Sequence, residues 1–226
     1  VGMILSPIKI HPFLMFLSLL SIAVGAGAAG AFNQFIDKDV DKIMNRTRKR
    51  PIPSGKIEPA EAFAFASVFS IFSIILIGLS SNWKAAFLLG FTIFFYVVIY
   101  SIWLKYKTSQ NIVIGGAAGA LPPLIGWFAM GGEISFVPIF LFLLIFFWTP
   151  PHFWTLAILQ KEDYKNANIP MLPITSSEKY TRIQIVIYSL LVFTVSMVPS
   201  FLGYFGKIYF LGAIICNLLF SSSCFF

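Results

Sequence analysis

Charge is what this sequence lacks most. Only 11% of its 226 residues are Asp, Glu, Lys or Arg, against about 25% in an ordinary soluble domain. Hydrophobic residues make up 58% and the mean hydropathy is +0.86, which excludes a water-soluble globular fold. A helix needs about 20 apolar residues to cross a hydrocarbon core of roughly 30 Å. Seven stretches qualify, at about 12–32, 60–80, 85–104, 112–130, 136–158, 183–205 and 208–226. None alternates polar and apolar residues over ten positions, which argues against a membrane β-barrel. Gly/Ser linkers and short-period repeats are also missing, so residues 1–226 read as one all-α transmembrane bundle. Cysteine is limited to Cys216 and Cys224. Both fall in the last apolar stretch, where a disulfide has little to close, and they read as packing residues. The opening VGMILSPIKIHP has no signal-peptide n-region or cleavage site, and both ends read as cut.

Acidic residues are scarce too, nine against sixteen basic ones, for a net charge of +7. Sorted by loop, thirteen of the sixteen cations fall on one side of the membrane: Lys38, Lys42, Arg46, Arg48, Lys49, Arg50, Lys56, Lys105, Lys107, Lys161, Lys165, Lys179 and Arg182. Lys9, Lys84 and Lys207 fall on the other. Positive-inside topology alone accounts for this bias, so the basic balance needs no nucleic-acid partner and that side is cytoplasmic, or matrix in a mitochondrion. Pro59 reads as the first-turn proline of the second span, and Thr175-Ser-Ser-Glu178 as a capping box before the sixth. Pro122-Pro123 and Pro150-Pro151 lie inside spans, predicting broken helices around an interior pocket.

The few charges that are present are concentrated. NQFIDKDVDKIMNRTRKRPIPSG (33–55) follows twenty residues without a formal charge. On a continuing helix Asn33, Asp37 and Asp41 stand at i, i+4 and i+8, about 40° apart per step, and share one stripe, while Asp39 points away. Carboxylates one turn apart repel, and the negative end of the helix dipole adds to the cost. An ordinary solvated helix end balanced by Lys38 and Lys42 is one reading. The sharper one is a magnesium site, because Mg²⁺ takes hard oxygen ligands from one or two carboxylates and completes its shell with water and phosphate oxygens. Arg46, Arg48, Lys49 and Arg50 would then grip a diphosphate. A second loop on the same side, HFWTLAILQKEDYKNANIPMLP (152–173), mixes Lys161, Glu162, Asp163, Tyr164 and Lys165. Alone it reads as a solvated loop, and its pairing with the first loop is what gives it interest. His152, at membrane depth after a double proline, is either a functional group or an imidazole satisfying a freed carbonyl.

Three segments, NQFIDKDVDKIMNRTRKRPIPSG, YSIWLKYKTSQNIVIGGAAGALPPLIGW (100–127) and TPPHFWTLAILQKEDYKNANIPMLPI (149–174), together resemble the protoheme IX farnesyltransferase family of the UbiA-type intramembrane prenyltransferases. The resemblance implies a helical bundle, normally of nine spans, of which about seven are present here. It implies farnesyl transfer from farnesyl diphosphate to a vinyl group of haem B, giving haem O for haem-copper oxidases, with Mg²⁺ as cofactor. By the same resemblance Asn33, Asp37 and Asp41 match the first magnesium-diphosphate motif, and Asp163 joins them as a metal residue from the second loop. Asp37, Asp41, Arg46, Arg50, Lys161 and Asp163 are the expected catalytic residues, and Asn33, Tyr100, Lys105, His152, Tyr164 and Lys165 the expected substrate contacts. In the second loop Lys161, Asp163, Tyr164 and Lys165 stand where the wider superfamily has a second aspartate-rich motif. The expected partners are farnesyl diphosphate, haem B and the lipid membrane, with haem A synthase or oxidase assembly factors beyond them and no nucleic acid. The expected location is the bacterial inner membrane, or the mitochondrial inner membrane. Tyr96, Tyr100 and Trp103 read as core or interface-belt aromatics or as a shield for an allylic cation against water, and Lys105 and Lys107 as positive-inside residues or as contacts for the haem carboxylates. The competing readings are a quinone-pathway aromatic prenyltransferase, a transporter and a non-catalytic fragment.

Overall fold

The computed structural model describes residues 1–225, with side chains to residue 222. The helices run in the order α1 (Gly2–Leu5), α2 (Pro12–Ile36), α3 (Lys38–Ile43), α4 (Pro59–Ser80), α5 (Trp83–Phe94), α6 (Asn111–Ala129), α7 (Phe136–Leu159), α8 (Lys161–Asn166), α9 (Leu172–Thr175), α10 (Glu178–Phe201) and α11 (Lys207–Phe225). Among the described residues there is no strand. Among the same residues six helical segments are long and apolar enough to cross a membrane: α2, α4, Trp83–Tyr106, α6, α7 and α10. The seventh expected span corresponds to α11, whose apolar portion Lys207–Ser222 is shorter. The chain is thus an all-helical integral membrane bundle.

Helix starts follow local chemistry. Pro59 takes the first position of α4, where its missing N–H costs nothing, and Glu58 and Glu61 form a reciprocal capping box there. Asn82 caps α5 by accepting from Ala85 N at 2.9 Å. The cap of α10 differs from expectation: it is Ser177, whose hydroxyl accepts from Tyr180 N at 3.2 Å. Thr175 is turned back onto the Met171 and Leu172 carbonyls of α9, which takes it out of capping range of α10.

α2 packs along α4 and also touches α5 and α6, while α6 packs on α7, α7 on α10 and α10 on α11. The α2 interface is built from small residues. Ser18, Ser21, Ala28 and Ala29 are buried on α2, and Ala66, Ser70, Ser73 and Ser80 on α4, with the Ser18 and Ser80 hydroxyls 3.5 Å apart. A Cβ on Gly25 would already press on Leu89 and on the Ser73 hydroxyl at 3.0 and 3.1 Å. Close backbone approach of this kind is how helices gain packing contact where lipid removes the hydrophobic drive. The outward faces carry exposed Phe16, Phe65, Ile71, Leu79 and Phe87, as lipid contact requires.

Two expectations need correction. α6 and α7 run as α-helix straight through Pro122-Pro123 and Pro150-Pro151, so the helices are not broken there. The irregular element is in the third span, which passes from α5 into a π-helical segment, Phe95–Trp103, and a 3₁₀ turn, Leu104–Tyr106. Cys216 does not pack either: it lies exposed on α11, and Cys224 is outside the described side chains.

The two polar loops share a small core of their own. Met44 of the first loop is buried with Ile112, Ala157, Tyr164, Ala167, Ile169 and Met171, with Val40 and Tyr106 against them. Burial of this apolar set brings Met44 of the first loop against Tyr164, Ala167, Ile169 and Met171 of the second, over the same end of the bundle.

Candidate active site

α2 ends at Ile36, and the chain passes through Asp37 (φ −86°, ψ 3°) directly into α3. Hydrogen bonds of the i→i−4 kind bridge the junction, from Asp37 N to Asn33 O at 2.9 Å and from Asp41 N to Asp37 O at 2.7 Å. The helical stripe therefore survives the junction. Asn33, Asp37 and Asp41 are all buried, whereas the Asp39 side chain is 75% exposed and pairs with Lys42 on the surface.

Two fully or nearly buried carboxylates require compensation, since an unpaired charge in a low-dielectric setting is costly. Each has a cation. Lys105 reaches Asp37 Oδ2, which also accepts from Asn33 Nδ2 at 2.7 Å, and Tyr106 donates its hydroxyl to Oδ1 at 2.6 Å. Arg50 Nη1 donates to Asp41 Oδ2 at 2.8 Å. Thr47 donates to the Asp41 carbonyl at 3.2 Å, folding the basic loop back on α3.

Below this cluster lies a cavity of about 510 Å³, within the ~300–1,000 Å³ usual for small-molecule sites. Its polar end is lined by Asn33, Arg46, Arg50, Lys105, Asn111 and Tyr164, and its depth by Gly25, Ala29, Leu89, Ile93, Gly116, Pro122 and Ile125. The stacked rings of Tyr96 and Tyr100, 5.5 Å apart, form one wall. Asp37 and Asp41 do not line this space themselves. They sit behind it and hold three groups that do: Asn33 and Lys105 through Asp37, and Arg50 through Asp41.

The second loop is placed differently. Asp163 accepts from Asn45 Nδ2 at 2.8 Å and from Arg46 N at 3.2 Å, so both its oxygens clasp the first loop. Tyr164 is buried against the cavity, while Lys161 is half-buried and Lys165 exposed. His152 lies outside the lining, with its ring stacked on Trp148 at 4.4 Å and 16° and edge-on to Phe153 at 5.2 Å. Trp148 and Phe153 both line the cavity.

Tyr106, Ser101, Asn45 and Asn111 join the expected residues. Asn111 is fully buried and donates to the Lys105 carbonyl at 3.1 Å. Tyr106 stands next to a lysine already singled out, and Ser101 is the one serine in an apolar and aromatic run. Those were the only signals available.

Among the described residues no three His, Cys, Asp or Glu side chains gather to hold a metal ion alone. The donor set still suits a hard cation that binds through one or two carboxylates and takes its remaining oxygens from water and a phosphorylated substrate. The amide oxygen of Asn33 at the cavity, with Asp37 and Asp41 behind it, would supply such a set, and three cations stand beside it.

Known proteins are similar to this chain in sequence and in fold. Protoheme IX farnesyltransferases of Parvibaculum lavamentivorans and of Rhodopseudomonas palustris strain BisB18 are each 54% identical to it over 92% of the chain. The chain spans about two thirds of their length, 66% and 67%. The solved structure of a UbiA homologue from Archaeoglobus fulgidus bound to GPP and Mg²⁺ superposes with a TM-score of 0.70 at 17% identity, over 92% of this chain and 76% of that one. That likeness establishes the fold. Residues 1–224 match the UbiA prenyltransferase family over practically the whole bundle, and with the relatives' identity this makes the chain a member of that family.

Proposed function

We propose that this chain transfers a farnesyl group from farnesyl diphosphate to a vinyl group of haem B, giving haem O. The observation that carries the reading is the polarity of one cavity: Arg46, Arg50, Lys105, Asn33 and Asn111 close one end, and mostly apolar and aromatic side chains line the rest. A molecule with a diphosphate head and an isoprenoid tail has the same polarity. From Asn33 to Ile22 the cavity follows α2 for eleven residues, about 16 Å at 1.5 Å per residue. A farnesyl main chain of twelve carbons extends roughly 14 Å with C–C bonds near 1.5 Å. The acceptor follows from the relatives, which are protoheme IX farnesyltransferases.

Asn33, Asp37 and Asp41 would hold Mg²⁺, which when bound acts as a Lewis acid on the diphosphate. Asp163 is better used as the clasp that fixes Asn45 and Arg46. Arg46, Arg50 and Lys105 stabilise the charge that builds on the leaving oxygens, an electrostatic contribution from cations that already stand at the polar end of the cavity. The C1–O bond breaks with its electron pair going to the diphosphate, and the vinyl π pair forms the new C–C bond. The cation left on the adjacent vinyl carbon is captured by a water molecule that then loses a proton, leaving the hydroxyl of haem O. Tyr96 and Tyr100 present ring faces to the electron-poor allylic carbon and keep water from it. The Trp148–His152 stack offers a flat aromatic ledge beside the cavity on which a porphyrin can lie, and Lys161 and Lys165 stand on the same side for its carboxylates. By the distribution of cations the site opens to the cytoplasmic side of a bacterial inner membrane. A haem-modifying enzyme such as haem A synthase, or an oxidase assembly factor, would receive the product.

Membranes carrying the chain, given labelled farnesyl diphosphate with haem B or with 4-hydroxybenzoate, test the assignment. Farnesylated haem in the extract is expected, and product from the benzoate alone would overturn it. Asp37→Asn and Asp41→Asn should each abolish Mg²⁺-dependent diphosphate release, and full turnover in both refutes the metal reading.

A further inference from the structure

The π-helical segment has a consequence for Asn33. In a regular α-helix Ser101 would stand about 140° around the axis from Tyr96, five residues on at 100° each. A π turn closes its hydrogen bonds from i to i+5 and brings residue 101 back over residue 96. Ser101 is fully buried there, and its hydroxyl donates to the Tyr96 carbonyl at 2.9 Å. With its one proton committed, its oxygen can only accept, and it accepts from Asn33 Nδ2 at 3.2 Å. The other N–H of the same amide goes to Asp37 Oδ2 at 2.7 Å. Both amide protons are therefore used inside the wall, and the group left for Asn33 to offer the cavity it lines is its carbonyl oxygen.

We infer that Ser101 is a positioning residue, which the π turn places so that Asn33 presents an oxygen, and not an N–H₂, to a divalent cation at the cavity rim. The inference rests on the proposed metal role of Asn33. Without Ser101 the amide keeps only its Asp37 bond and can swing about it, so the oxygen is no longer held toward the ion. The effect should show in cation affinity more than in folding, since outer partners of metal-binding groups typically contribute 10–100-fold to affinity.

The test is Mn²⁺ binding, read from the loss of the free-ion electron paramagnetic resonance signal, by the full chain in nanodiscs with inorganic pyrophosphate present. Ser101→Ala, and the size-conserving Ser101→Cys as a check should the first fold poorly, are expected to weaken Mn²⁺ about tenfold. On an Asn33→Ala background Ser101→Ala should add nothing, because its effect passes through Asn33. If Asp37→Asn and Asn33→Ala lower the affinity while Ser101→Ala and Ser101→Cys keep the parent value, Ser101 has no positioning role and the metal reading stands. If none of these variants changes Mn²⁺ affinity, the metal reading fails and takes this inference with it.

Discussion

Replacing Asp37 with Asn tests how the charge cluster is held. The change is nearly isosteric, yet it strips the counter-charge from Lys105, whose side chain is only 14% exposed, and it removes a carboxylate that is 0% exposed. The bond from Tyr106, now 2.6 Å to a charged oxygen, becomes an ordinary neutral one, and the new amide must find a place beside the Asn33 amide and the Lys105 ammonium. Breaking one side of a buried ion pair costs about 3–5 kcal/mol. Because Lys105 also lines the cavity and can turn toward it, the lower end applies, about 3 kcal/mol. For chains of this size 1 kcal/mol moves the midpoint by roughly 2–4 °C, so Asp37→Asn should lower Tm by about 6–12 °C in detergent thermal unfolding. Asp37→Asn combined with Lys105→Met removes both charges and should recover most of that loss. Asp39→Asn, in the exposed pair with Lys42, should not shift the midpoint measurably. An Asp37→Asn midpoint equal to that of Asp39→Asn, or a double variant no more stable than the single one, would refute the view that Lys105 and Asp37 are mutually dependent.

Other outcomes follow from the cavity and its loops. A Cβ on Gly119 meets nothing within 4 Å, so Gly119→Leu should fill the cavity without strain, lower kcat/KM for farnesyl diphosphate by about tenfold or more and spare geranyl diphosphate, as donor competition would show. At Gly115 the added carbon would fall 2.3 Å from Tyr100 Cδ2. Gly115→Ala should therefore cost about 1–3 kcal/mol by overpacking, relieved by Tyr100→Leu in the same unfolding assay. Asp163→Ala releases Asn45 and Arg46, and trypsin should then cut faster at Arg46, Arg48 and Lys49; an unchanged cleavage rate would show that the clasp does not hold the loop.

Much of the fold could be read directly, because long apolar runs leave little choice of structure in lipid. The stripe of Asn33, Asp37 and Asp41 was legible for a similar reason, since i, i+4 spacing survives a one-residue kink when the backbone bonds bridge it. What the spacing could not show was depth. The two aspartates lie behind the cavity wall, and only packing decides that Lys105, Arg50 and Asn33 come forward in their place. The prolines misled because a helix in a bundle can run through Pro-Pro, whereas the π turn in FYVVIYSIW is unmarked by any residue of special backbone preference. Asp163 was expected as a metal group from the resemblance; in the structure its bonds go to Asn45 and Arg46, 118 and 117 positions away, and no local pattern records such a pairing.

The arrangement also explains why acids and bases are packed so densely into one short segment. In the resting protein Lys105 balances Asp37 and Arg50 balances Asp41, so the rim is electrically satisfied with no ligand. Neither cation can leave its carboxylate for a phosphate oxygen unless another positive charge takes its place, because a bare carboxylate this deeply buried is too costly. On the proposed reading, diphosphate alone offers Lys105 and Arg50 a new partner but strands the aspartates, and a divalent ion alone finds both aspartates already paired. Only the two together allow every charge to exchange one partner for another. On that reading a rim built in this way would discriminate against either ligand arriving singly, through pairing that the sequence concentrates in Asp37, Asp41, Arg50 and Lys105.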